Sequence, residues 1–82
     1  LIIIRGARNK QSIVSGYIFK IFKSKAILRV KNTTEDTMEL IYEVSSSLLK
    51  KTEKDINIID ALYDLGGIEY VNIVMQNDEI SN

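Results

Sequence analysis

Three groups of residues in this chain have types and spacings that could do chemistry. Asp60 and Asp64 stand four residues apart, which on a helix puts both carboxylates on one face where they could hold a hard cation. Asp36, Glu39 and Glu43 could supply paired acids. Arg5, Gly6 and Arg8, in the run "RGAR", precede a helical pattern whose free N–H groups could receive an anion.

Each group also has a plainer explanation. Asp60 and Asp64 lack further oxygen ligands on a matching loop, so a solvated helix face accounts for them. Glu39 and Glu43 find cations across a hairpin. "RGAR" also reads as an ordinary turn, with Gly6 free to take positive φ. The chain has no His and no Cys, which removes imidazole bases, thiolate nucleophiles, disulfides and the usual zinc sites. We therefore expect a non-enzyme with no catalytic residues, no metal and no cofactor.

The elements that would position these residues follow from periodicity. "LIII" at 1–4 is an apolar β-branched run of the kind found in a strand buried inside a sheet. Asn9 is an expected N-cap for a helix over 10–23, in which Ile13, Val14, Tyr17, Ile18, Ile21 and Phe22 recur at helical spacing. Gly16 weakens that helix and is expected to mark close packing on the sheet.

"KAILRVKN" and "TMELIYEV" alternate around the polar "TTED" and make an antiparallel hairpin. Ala26, Leu28 and Val30 share one side; Lys25, Ile27, Arg29 and Lys31 take the other. Charge matching sets the expected register, with Asn32 facing Asp36, Arg29 facing Glu39, Ile27 facing Ile41 and Lys25 facing Glu43.

"SSSLLKK" at 45–51 reads as a loop. A second helix then begins at Thr52 or Asp55, carries Ile56, Ile58, Ile59, Leu62 and Tyr63, and stops at Gly66 and Gly67. "IEYVNIVMQ" is the last strand, with Val71, Ile73 and Met75 opposed to Ile68, Tyr70, Asn72 and Val74.

The order β-α-β-β-α-β predicts an α+β, ferredoxin-like domain covering residues 1–82. It has a four-stranded antiparallel sheet of order 4-1-3-2, with two helices on one face. The uncovered face would carry Ile27, Arg29, Glu39, Ile41, Tyr70, Asn72 and Val74 together with two residues of the first strand, and it is the expected interaction surface. Eleven basic residues balance eleven acidic ones, and the open face has Tyr70 as its available aromatic, so no nucleic-acid partner is expected. Tyr17, Phe19 and Phe22 beside Lys20 and Lys23 could form a membrane-dipping helix, but their spacing with Ile13, Ile18 and Ile21 favours a core face. No apolar run is longer than Leu1–Ile4, so this segment is not expected to insert in a membrane. A first residue Leu inside a strand pattern, with no signal peptide, suggests a piece of a longer protein.

"LIIIRG", "ILRVKNTTEDTMELIYEV" and "IDALYDLGGIEYVNIVMQNDEIS" together resemble the C-terminal tail of an uncharacterised bacterial membrane-protein family. Members have a block of membrane helices followed by a ferredoxin-like cytoplasmic tail, and their genes often lie near those of polyphosphate-polymerase-type proteins. The C-terminal domain of MgtC-type proteins, which looks like an ACT domain, is a second resemblance.

What these resemblances imply is a regulatory or assembly domain on the cytoplasmic face of a bacterial membrane. It would act as a homo-oligomer or against the rest of its own membrane-embedded chain. The alternative is an ACT-type sensor of a small anion or amino acid near Arg5, Gly6 and Arg8.

Overall fold

The computed structural model describes residues 1–76. Strand β1 (Ile2–Ala7) leads through a 3-10 turn (Arg8–Lys10) into helix α1 (Gln11–Phe22). Strands β2 (Ile27–Thr33) and β3 (Thr37–Glu43) follow, then helices α2 (Ser46–Glu53) and α3 (Ile58–Tyr63), and strand β4 (Ile68–Ile73). The sheet is antiparallel with order β2-β3-β1-β4, which is the expected order read from the other edge.

An inner position suits β1 because Ile2 and Ile4 are apolar on one face and Ile3 on the other. Ile2 and Ile4 are fully buried beneath the helices together with Leu40, Val14, Leu49, Ile58 and Leu62. Each such side chain contributes roughly 1.5–3 kcal/mol on burial. Helix α1 turns Val14, Ile18 and Phe22 to this core at a spacing of four, and Tyr17 and Ile21 flank them, whereas Ile13 and Phe19, expected on the core face, fall at the edges of that arc and are exposed. Tyr42 points under α1, and its hydroxyl lies 3.2 Å from Ser15 Oγ.

Several expectations change. "SSSLLKK" is helix α2 and not a loop: the Ser45 hydroxyl caps it by accepting from Leu48 N, and Leu49 anchors it in the core. At eight residues it is too short for periodicity to reveal. Thr52 and Asp55 belong to its C-terminal end, where Asp55 N donates to Thr52 O. The cap of α3 is Asn57, whose side chain accepts from Asp60 N at 3.1 Å. Asn9 caps nothing, because β1 runs on to Ala7 and Asn9 falls inside the 3-10 turn.

The expected hairpin register is also displaced. Asn32 pairs with Glu39, Val30 with Ile41 and Ile27 with Glu43, and Arg29 is an extra residue in β2. The turn decides this against charge matching. Thr34 Oγ1 accepts from Thr37 N at 2.9 Å and Thr34 N donates to Thr37 O at 2.9 Å, which fixes where both strands meet. The bulge at Arg29 then moves Val30 to the side opposite Leu28. A second irregularity, at Glu69, pairs Ile68 with Gly6, so Ile68 packs on the core and not with Tyr70.

Two glycines have opposite roles. Gly6 lies in extended strand, not in a turn of positive φ; a Cβ there would stand 2.5 Å from Gly67 O and 3.0 Å from Ile68 Cα. This clearance lets Ala7 N reach Gly67 O at 2.8 Å, just past the left-handed stop at Gly66 and Gly67. Gly16, by contrast, has nothing within 4 Å of a would-be Cβ and marks no close packing. Gly6→Ala should therefore cost about 1–3 kcal/mol, whereas Gly16→Ala should add about 0.4–1 kcal/mol. Urea unfolding of the two variants beside the parent chain checks both signs.

Candidate functional site

The sheet face away from the helices follows from alternation and register. Ile3 and Arg5 of β1 point opposite to the buried Ile2 and Ile4, and their paired residues share that side. One row across the four strands is Val30, Ile41, Ile3 and Asn72. Leu1, held to Val74 by two backbone hydrogen bonds of 2.7 and 2.8 Å, and Ile27 extend the apolar area. Ile27, Tyr70 and Val74 are exposed, and Ile3, Val30 and Ile41 are half-buried.

Two charged rows bracket this apolar centre. Arg5 Nε donates to Glu39 Oε2 at 2.7 Å, Asn32 Nδ2 donates to Glu39 Oε1 at 3.1 Å, and the Arg5 guanidinium lies 5.0 Å from the Tyr70 ring centroid. The chain Asn32–Glu39–Arg5–Tyr70 thus crosses all four strands. On the far side, Arg29 Nε donates to Glu43 Oε1 at 2.6 Å. The register places Ile27, Arg29, Glu39, Ile41, Tyr70, Asn72 and Val74 on this side of the sheet.

The ion-pair partners differ from the expected ones. Glu39 takes Arg5 from the central strand, and Arg29, shifted by its bulge, takes Glu43. Ile3 and Arg5 are the two first-strand residues of this face, and Val30 joins it from the side opposite to the expected one. The alternation of "LIIIRG" holds the signal for Ile3 and Arg5, whereas Val30 depends on a bulge that no residue type announces.

The "RGAR" residues do not converge. Arg5 lies on the open face, Gly6 backs onto Gly67, and Arg8 Nη1 donates to Thr34 O at 3.3 Å while its N–H donates to Asp36 O. A groove of about 270 Å³ at the hairpin end holds Arg5, Asn32, Thr34, Glu39 and Glu69 but neither Gly6 nor Arg8. Asp60 and Asp64 remain exposed on and just after α3, and no cluster of three metal-ligating side chains exists among the described residues. No helix among the described residues is long and apolar enough to cross a membrane.

Comparison with protein-family models, with curated proteins and with solved structures finds no match to this chain.

Electrostatically, hydrogen bonds from Arg5 and then Asn32 hold the Glu39 carboxyl below the usual carboxylate range, and Glu39 in turn raises Arg5. A depressed acid stabilises the fold above its unfolded value, near pH 4.3 for glutamate, and that contribution fades as pH falls through the lower folded value. The gap in urea midpoint between the parent chain and Glu39→Gln should therefore be widest near neutrality and close on acidification below about pH 4.

Proposed function

We propose that this chain is a non-enzymatic assembly or regulatory domain, of ferredoxin-like and ACT-like type, that acts through its open sheet face. The carrying observation is the apolar row of Val30, Ile41 and Ile3, with Ile27, Leu1 and Val74 in the next row around Glu43 and the ion pairs Arg5–Glu39 and Arg29–Glu43 to either side.

The favoured occupant is a second copy of the chain. Both arginines on the face are already matched by glutamates, so the centre of the face can meet a second copy without opposing unpaired arginines. A two-fold pairing needs one self-complementary patch, which an apolar centre with paired charges at its rim supplies. The strand edges are less suited to association: the Arg29 bulge disrupts β2 and the Glu69 irregularity disrupts β4.

The resemblance to cytoplasmic tails of bacterial membrane proteins supports placing this domain beside a membrane as part of a larger chain, with the parent chain as the other occupant of the face. The alternative of a small-ligand sensor at Arg5, Gly6 and Arg8 has less support, because those residues point to three different neighbours.

Light scattering on the 82-residue chain tests the proposal. A dimer of the 9.3 kDa chain is expected, and Ile41→Lys, which puts an unpaired charge at the centre of the face, should reduce it to the single-chain mass. A monomer both before and after the substitution would remove the self-association reading.

A further inference from the structure

Charge is segregated along this neutral chain. Residues 1–34 hold eight of its eleven Lys and Arg and none of its eleven Asp and Glu. Arg5 and Arg29 of this set are consumed by Glu39 and Glu43 on the open sheet face. Lys20 and Lys23 stand at the C-terminal end of α1, exposed on the helix layer.

The same helix exposes apolar surface that the core does not use. Val14, Ile18 and Phe22 face inward, whereas Ile13 is 47% and Phe19 60% exposed. At 100° per residue, Ile13, Gly16, Phe19, Lys20 and Lys23 share the outward face. Gly16 leaves its middle bare, with nothing near a would-be Cβ. The Lys23 ammonium lies 5.7 Å from the Phe19 ring centroid, so ring and charge form one amphipathic tip. Beside it, a groove between α1 and α2 is lined by Lys20, Leu48 and Lys51, with Asp55 as the acid on its wall. A neighbouring groove adds Lys25, again with Lys51.

We propose that the outer face of α1, where Ile13 and Phe19 flank Gly16, Lys20 and Lys23 and Lys51 stands beside them, docks on an anionic lipid surface. The chemistry is that of an interfacial helix: apolar side chains reach the boundary of headgroup and acyl chain, and lysines meet lipid phosphates. A second copy is a poorer occupant, because pairing two such faces brings lysines together without acids from either α1. A folded acidic partner would match the lysines but would need two separate pockets for Ile13 and Phe19, which stand on opposite flanks of the face, whereas a lipid surface receives both. This face lies on the other side of the molecule from the open sheet, and the inference does not rest on the assembly reading.

Co-sedimentation of the 82-residue chain with vesicles tests it, comparing phosphatidylcholine alone with phosphatidylcholine containing about one third phosphatidylglycerol. Binding is expected on the anionic vesicles only and should fade as salt approaches about 1 M. Lys20→Gln and Lys23→Gln should each lower the partition about fivefold, and Phe19→Ser about tenfold. Thermal midpoints should stay unchanged, since all three side chains are exposed. Equal binding to neutral vesicles, no binding to either, or full binding by Phe19→Ser would overturn the proposal. So would a lipid-free oligomer that Phe19→Ser dissolves, which would assign the face to protein.

Discussion

The structure depends on one strand satisfying two neighbours and two faces at once. β1 is hydrogen-bonded to β3 on one side and β4 on the other. Its even residues Ile2 and Ile4 close the core, and its odd residues Ile3 and Arg5 build the open face. A one-residue slip would exchange these sets, exposing two fully buried isoleucines and placing Arg5 under the helices without Glu39. The close approach at Gly6 helps set this registry. There the β1 backbone meets Gly67 O at a distance that a Cβ would not allow, so the end of the α3–β4 turn is tied to the end of β1.

From that registry the two sides of the sheet acquire different characters. The covered side is apolar at its centre and takes three helices, one of them short and held by the Ser45 cap and the buried Leu49. The open side mixes apolar centre with matched charges. Arg5 with Glu39 and Arg29 with Glu43 are matched within one copy, so these four charges can be buried against another surface as pairs. This is the physical basis for reading it as a contact surface.

Much of this was legible in the sequence. The inner position of "LIII", the inward alternation of Met38, Leu40, Tyr42 and Val44, and the double-glycine stop follow from residue type and period. What was not legible depended on single hydrogen bonds. The Thr34–Thr37 turn moved the hairpin register, the Arg29 bulge turned Val30 over, and the Glu69 irregularity took Ile68 to the core. The uneven distribution of charge along the chain becomes informative only once the fold shows which cations remain free after Glu39 and Glu43 have taken theirs. Ile13 illustrates the limit of periodicity: it fits the helical stripe in sequence, yet it sits at the edge of the arc and half of it faces outward.

The central claim is that the open sheet face is covered by protein while the helix layer is not. Methyl resonances of the isoleucines, recorded with a soluble paramagnetic agent across a range of protein concentrations, test it most directly. The account predicts that Ile3, Ile27 and Ile41 become shielded from the agent as concentration rises, while Ile13 stays accessible throughout. Equal accessibility of all four at every concentration would contradict it.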